Sequence, residues 1–447
     1  MILYTQFLKP HDWIYTAITV FVIYAIADWF KYKYYNAFER EYFFRALTIK
    51  LVSGISVGII YQYFYGGGDT YIYHITTNDF YDIFIDYPDI GLEIFSGYPS
   101  EWYDMERYTF QHKRALAWPA LYLPNEPKES AFLTSKYVFY VKLLTHKSYM
   151  AASCGVSFFS FIGMWLFYQV TLERYPEKKK FLFYAFFAIP SLCFWGSGIL
   201  KDSITIGGVG FVVAGFYRLF ILRKFKFIYV LWLIVGTKVM LDIKVYILLA
   251  LILPLTLWFM LDLRTFIKNP ILRRLSVPVL IIIGAAVGGY AVVTFSKKFG
   301  KFAVKNVLET AKATQYDLSE KGSAGGTSIK TNTYLALFNG LFRPLPFDVK
   351  NPFIGIASIE NSLLLYLLIV VLRRNKFSYL VKQFGQDTFL LPALIFIILF
   401  GYMVGFSTPN LGALVRYKIP ILPFYGILIA LFYVNRVKKS KLQPNEA

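Results

Sequence analysis

Cysteine and histidine are scarce in this chain, with two and four among 447 residues. Cys154 and Cys193 both fall within apolar runs and read as packing residues rather than a redox pair. His74 and His112 have no neighbour at metal-ligand spacing, so no metal site is expected from them. No P-loop and no dinucleotide fingerprint occurs anywhere, which argues against a nucleotide-binding domain. Charge is thin as well: only 17% of residues are Asp, Glu, Lys or Arg. The net charge of +20 is not gathered into a basic soluble face, and a nucleic-acid partner is not expected.

What the chain has instead is 57% hydrophobic residues, aromatics making up 20% of the whole chain, and a mean hydropathy of +0.48. That composition belongs to a polytopic membrane protein. Runs of about 20 apolar residues read as helices, whereas barrel strands would alternate over about ten residues. The expected fold is therefore an all-α transmembrane bundle of about eleven helices. The spans are expected near 13–30, 46–65, 149–170, 181–199, 204–222, 228–241, 245–262, 275–295, 353–372, 388–407 and 419–435. The pair covering 228–262 is interrupted by Lys238, Asp242 and Lys244, which leaves one re-entrant hairpin as the alternative there. The whole chain reads as one transmembrane domain with two long loops, 66–136 and 296–352.

Lysine and arginine set the expected orientation, because cytoplasmic loops retain them. Alternate connections carry Lys31, Lys33, Arg40 and Arg45, then Arg174 with Lys178–Lys180, then Arg223, Lys224 and Lys226, then Arg264, Lys268, Arg273 and Arg274. The series continues through Arg373, Arg374, Lys376 and Lys382 to Arg436, Lys438, Lys439 and Lys441 in the tail. This alternation puts the N-terminus outside and the C-terminus in the cytoplasm of a bacterial inner membrane. The residues after Trp29-Phe30 lack a small-residue cleavage site, so the first span is expected to stay.

With that orientation, the glycine-rich FYGGGDTYIYH at 64–74 leaves the second span on the outer side and delivers Asp69 there. The acidic, aromatic 66–136 segment then reads as a folded cap with helices on the membrane surface. It carries Asp79, Asp82, Asp86, Asp89, Glu93, Glu101, Asp104 and Glu106. The second long loop passes through SEKGSAGGTSIKTN, a composition expected of a mobile loop that orders on substrate binding. Other outer turns bring Lys201 and Asp202, Asp242 and Lys244, Arg343, Glu360 with Asn361 inside the following span, and Arg416, Tyr417 and Lys418 at the start of the last span. Ionisable groups at a membrane boundary are unfavourable unless paired or wetted, so their gathering on one face marks a candidate site.

Plainer roles exist for several of them. Lys244 and Lys418 would serve as snorkelling anchors, Asp202 as a helix cap partnered by Lys201, and Gly66–Gly68 as a helix terminator. Asp69 has no basic neighbour in sequence and no orienting duty. The chemistry that suits an outer acid among cations is glycosyl transfer from a lipid-borne phosphate: the carboxylate deprotonates an acceptor hydroxyl, and cations stabilise the departing phosphate. Arg does so bidentately.

The runs FWGSGILKDSI, GGGDTYIYH, LFRPLPF and NLGALVRYKIPILPF resemble the EpsG/O-antigen-polymerase-like multi-span proteins of bacterial polysaccharide synthesis. More distantly they are similar to GT-C superfamily lipid-dependent glycosyltransferases. The resemblance implies a membrane glycosyltransferase or glycan polymerase acting at the extracytoplasmic face on a polyprenyl-(pyro)phosphate-linked sugar. Asp69 matches the GT-C acid of the first outer loop, although here it follows a second span and stands alone rather than in an acidic pair. Arg343 and Arg416 match the arginines that contact lipid pyrophosphate in the polymerase-like group. Asp69 and Asp202 are then the candidate catalytic acids, with Lys201, Arg343, Arg416, Lys244 and Lys418 on the donor phosphate. Asp242, Glu360, Tyr73 and Tyr417 would position these groups or sugar hydroxyls. The acceptor would be a glycan, a protein or a lipid, the last two making the chain a ligase. A transporter or flippase for a lipid-linked sugar shares the substrate but should show two similar halves or broken helices. No cofactor is required by this reading; the outer acids leave a divalent metal open, without a metal motif.

Overall fold

The computed structural model describes residues 8–34, 36–89, 91–92, 122–123, 126–127, 129–267, 269, 271–272, 278–279, 282–283, 286, 289 and 333–433. The expected span 275–295, most of the 296–352 loop, and Glu93, Glu101, Asp104, Glu106 and His112 of the cap lie largely or wholly outside them.

Among the described residues the chain is helical apart from one two-residue antiparallel pair, Tyr122–Leu123 with Glu126–Pro127. The principal helices are α1 (Pro10–Tyr34), α2 (Ala37–Ile60), α3 (Asp69–Asp86), α4 (Glu129–Thr145), α5 (Tyr149–Arg174), α6 (Lys179–Phe187), α7 (Pro190–Trp195) and α8 (Lys201–Phe216). They continue as α9 (Phe227–Ile243), α10 (Val245–Leu263), α11 (Ala336–Phe342), α12 (Pro352–Arg374), α13 (Phe377–Gln386), α14 (Leu390–Ser407), α15 (Leu411–Tyr417) and α16 (Leu422–Tyr433).

Among the described residues, eight helical stretches are long and apolar enough to cross a membrane: Pro10–Tyr32, Glu39–Tyr65, Tyr149–Arg174, Lys201–Ile221, Val245–Phe266, Pro352–Arg374, Leu390–Ser407 and Leu411–Tyr433. The protein is a polytopic helical membrane protein. Three expected spans account for the difference from eleven. The 181–199 run is divided into α6 and α7, because Pro190 offers no N–H and disfavours helical backbone at Ile189. The 228–241 run is α9, helical but only 17 residues long. The third, 275–295, is mostly undescribed.

Packing divides the chain into two compact units. The first is drawn from Met1–Leu166, Cys193–Phe211 and Ile234–Val245; the second from Phe167–Leu192, Val212–Leu233 and Tyr246–Ala447.

In the first unit, Val57, Tyr61, Tyr73, Val138, Tyr149, Ile199 and Val239 build one core. Phe80 and Ile83 of α3 pack with Phe132 and Phe139 of α4 in a second. Helices α5 and α8 cross at glycines: a Cβ on Gly163 would stand 2.1 Å from the Gly207 carbonyl oxygen, and one on Gly210 2.0 Å from the Gly163 oxygen. Small residues at such crossings let backbones meet where lipid supplies no hydrophobic drive between helices. Cys154 and Cys193 are both buried thiols.

In the second unit, Phe167, Phe186, Phe396 and Phe424 form an aromatic core between α5, α6, α14 and α16. Gly405 of α14 meets the backbone of Ala336 and Gly340 on α11. Arg174 and Tyr175 at the end of α5 both reach Asp387, at 2.8 and 2.7 Å.

Candidate functional site

The candidate residues of the first unit are placed by two irregular stretches of backbone. Helix α2 runs into a single wide turn, Tyr61–Tyr65, and stops at Gly66. Gly66, Gly67 and Gly68 have φ of +63°, +138° and +102°, conformations that residues with a Cβ rarely adopt. The chain then enters α3 at Asp69, so the glycines do terminate a helix and lead into the next one. The hydroxyls of Thr70 and Tyr149 meet at 2.6 Å and fix the start of α3 against α5. Asp69 is exposed in the first turn of α3, whereas Tyr73, one turn on, is buried.

The second stretch is Gly196–Leu200, which lies between α7 and α8 and is buried throughout. Its polar backbone is satisfied by side chains of the surrounding spans, as buried irregular backbone in a membrane protein requires. Lys50 of α2 donates to the Gly196 carbonyl, and the Ser160 hydroxyl does so at 2.7 Å. The Gly198 N–H donates to Ser157 Oγ at 2.9 Å, and Ser203 Oγ returns a bond to the Gly198 carbonyl at 2.6 Å. Lys201 and Asp202 follow at once and inherit this placement.

Lys201 and Asp202 then diverge. The Lys201 Nζ donates to Ser130 Oγ at 2.9 Å and sits 5.9 Å from the centre of the Tyr73 ring, within cation–π range. Asp69 and Tyr73 are four residues apart on α3 and share a face. The half-buried Lys201 ammonium thus lies near the buried Tyr73 ring, one helical turn on from the exposed Asp69. Asp202, only 2% exposed, pairs with Lys244. Lys244 is itself 7% exposed, so both charges of the pair are withdrawn from solvent. A snorkelling lysine would hold its ammonium in water; this one does not.

Asp242 belongs to a second group. Both its carboxylate oxygens accept from Lys238 at 2.7 Å, and Tyr137 donates to Oδ2 at 2.7 Å. Ser130 and Tyr137 are seven residues apart on one face of α4. That face thus serves both Lys201 and Asp242. Burial, then the hydrogen bond to Asp242 and its charge, push the Tyr137 hydroxyl well above its ordinary value. Burial and the charge of Lys238 push the neighbouring Lys136 ammonium down, against the pull of Asp242.

The other candidates lie in the second unit. Arg343 forms a two-toothed pair with Asp348, Nε to Oδ2 at 2.9 Å and Nη2 to Oδ1. Asp348 also accepts the Leu345 N–H at 2.9 Å. Burial would raise the Asp348 carboxyl, but the bonds from Arg343 and Leu345 and the guanidinium charge outweigh it, and the group sits below its ordinary value. Lys418 is 1% exposed; its Nζ donates to Asn361 Oδ1 and, at 3.3 Å each, to the Leu341 and Arg343 carbonyls. The Asn361 amide continues to the Pro344 carbonyl at 3.0 Å. These three donors are used on protein acceptors, so Lys418 stabilises the FRP turn from within. The sequence placed it at the start of the last span; that span begins at Leu411, and Lys418 lies inside it. Glu360 accepts from the N–H of Ser191 at 2.7 Å and from its hydroxyl, capping the first turn of α7. Arg416 and Tyr417 are half-buried on α15.

Ser130, Tyr137, Lys50 and Asp348 were not singled out by sequence. Asp348 alone had a local signal, five residues after Arg343. No group of three or more His, Cys, Asp or Glu suited to a metal ion occurs among the described residues. No family model matches the chain, and neither does any curated protein or solved structure.

Proposed function

We propose that the chain is an integral-membrane glycosyltransferase or glycan polymerase that uses a polyprenyl-(pyro)phosphate-linked sugar at the extracytoplasmic face of a bacterial inner membrane. The observation that carries this reading is the Lys201 ammonium beside Tyr73, one helical turn after the exposed Asp69, at the exit of a membrane span. An acceptor hydroxyl beside Asp69 would lose its proton to the carboxylate as the glycosyl bond forms. The leaving phosphate would gain negative charge as the bond to the sugar breaks, and the Lys201 ammonium would stabilise it. Asp202 and Lys244 act in this reading as the buried pair that holds the start of α8, not as acid and phosphate ligand. The resemblance to polymerase-like proteins of polysaccharide synthesis supports the donor class, and the alternating basic loops support the orientation.

A transporter for a lipid-linked sugar is the second reading. The buried irregular stretch Gly196–Leu200 between two helices is the kind of break on which transporters build substrate sites. Surface-glycan profiling of cells carrying Asp69→Asn or Lys201→Met, with insertion checked for each, separates the two. Loss of a glycan with accumulation of its lipid-linked units on the outer leaflet supports transfer; accumulation on the inner leaflet supports transport. Unchanged glycans at normal membrane levels of both variants would overturn the transferase proposal. Arg416→Ala tests separately whether a cation of the second unit contributes.

A further inference from the structure

Helix α4 carries a lysine that the site does not use. Lys142 is fully buried in the first unit. Its Nζ lies 2.8 Å from His74 Nδ1, 2.9 Å from the His74 carbonyl oxygen and 2.6 Å from Asn78 Oδ1. Across the ring, His74 Nε2 stands 3.3 Å from Asn78 Nδ2.

These four contacts can be tested for donor and acceptor parity. An ammonium brings three N–H donors and no acceptor. If all three are used as placed, His74 Nδ1 must accept, and the neutral ring then carries its proton on Nε2, facing the Asn78 NH2. Two donors confront each other. Turning the Asn78 amide over moves the conflict to Lys142, where the NH2 meets the ammonium. A neutral amine removes the conflict in both orientations. With the amide as placed, Lys142 accepts from His74 Nδ1–H, donates to the His74 carbonyl and to Asn78 Oδ1, and Asn78 Nδ2 donates to Nε2. With the amide turned, Lys142 accepts from Asn78 and donates to Nδ1 and to the carbonyl, and Nε2–H donates to Asn78 Oδ1. Every polar atom of the four contacts then has a complementary partner, as buried groups require.

Among the described residues, no charged group supplies a counter-ion in contact with Lys142. On α1, Asp12 accepts from the Tyr149 and Lys9 N–H groups at 2.8 Å each and from Ser148 Oγ. On α3, Asp79 acts on Lys142 at longer range, and Asp82 pairs with Lys147, which follows α4. The Tyr149 ring packs on His74 with centroids 5.3 Å apart. Burial holds Lys142 well below the usual lysine range; Asp12 and Asp79 oppose this and Lys147 adds to it. Burial, then the charges of Lys142 and Lys9, depress His74 likewise.

We propose that Lys142 works as a neutral amine, and that the Lys142–His74–Asn78 network is a proton-sensitive clamp positioning the first turns of α3, and Asp69 with them. Only the role of Asp69 rests on the transferase reading; the clamp stands or falls without it. A proton taken up by Lys142 or His74 puts a charge in a dry site and sets donor against donor. The grip of α4 on the His74 backbone weakens, and α3 loosens from its N-terminal half.

The test is the folding equilibrium of the full chain in detergent micelles between about pH 7 and 9.5, wild type against Lys142→Met. A lysine neutral when folded and charged when unfolded binds a proton on unfolding, so stability rises with pH toward the ordinary lysine value of about 10.4. The wild-type folding constant should gain up to about tenfold per pH unit relative to Lys142→Met. Equal slopes would mean that Lys142 keeps one charge in both states, and would overturn the proposal. Asn78→Asp serves where Lys142→Met fails to fold. Its carboxylate should charge the lysine and flatten the wild-type slope, and an unaltered slope would be equally fatal. Hydrogen exchange over 69–77 reads the positioning: opening that increases at low pH in wild type but not in Asn78→Asp supports it. Identical opening in both overturns it, whatever the glycan profile of Asp69→Asn shows.

Discussion

Replacing Lys244 by methionine should leave the Asp202 carboxylate without its counter-ion at a position only 2% exposed. Removing one partner of a buried ion pair costs about 3–5 kcal/mol, because the remaining charge stays dehydrated. Asp202→Asn strands the Lys244 ammonium, 7% exposed, with a penalty in the same range. The double variant Asp202→Asn/Lys244→Met removes both charges and leaves at most an amide to satisfy, about 1–3 kcal/mol. The singles should therefore sum to about 6–10 kcal/mol, and the coupling in a double-mutant cycle should reach at least about 3 kcal/mol. Unfolding equilibria of the purified chain in mixed micelles, with all four proteins in one lipid and detergent mixture, give the cycle. Glycan synthesis measured on the same four proteins separates stability from chemistry. A stable, active double variant makes the pair a scaffold, whereas a stable but inactive one returns Asp202 to the catalytic residues. Additive singles of less than about 1 kcal/mol each would show that water reaches the pair, and would refute the argument from burial.

Gly163→Ile forces a branched side chain into backbone at the α5–α8 crossing, where even a Cβ would stand 2.1 Å from a carbonyl oxygen. It should lower stability by about 3 kcal/mol or more and reduce the level of inserted protein, read by fluorescence-detected size exclusion; normal levels and an unchanged melting point would show that the helices can part. Asp348 has a folded-state value below its unfolded 3.8, so the stabilisation from its pair with Arg343 is present above that value and lost as pH falls through the folded one. Arg343→Gln should therefore make the acid limb of unfolding shallower below about pH 4, and an identical limb in both proteins would contradict the pairing.

Class and helices were legible because both depend on local composition. A run of apolar residues near the length of a bilayer announces a span whatever it packs against, and three glycines before an acid announce a helix end. The partners of the charged residues were not legible, since they depend on which helices meet. Lys201 is adjacent to Asp202 in sequence, yet the partner of Asp202 is Lys244, 42 residues away. Neighbours on a helix point about 100° apart, so adjacency argues against pairing as often as for it. Lys418 read as a boundary anchor because the last span was expected to begin near 419, just after it. The span begins at Leu411, and a short 3-10 turn at Ile419–Ile421 absorbs Pro420. Pro190 was the reverse case, an audible stop inside an apolar run that hydropathy alone carried through. Lys142 left no trace in sequence, because a lysine whose partners are an imidazole, a carbonyl and an amide has no acid to signal it.

The glycine crossing between α5 and α8 also sets a limit on precision. Lys201 lies six residues before Gly207, about 9 Å along the helix axis, so the crossing acts as a fulcrum with a short arm. A tilt of about 10° at the fulcrum moves the start of α8 by about 1.6 Å, enough to take an ammonium out of hydrogen-bond reach. Backbone touching backbone leaves no side chain to yield at that point. The packing of two glycines thereby becomes the tolerance to which a charged group at the end of an apolar helix is machined.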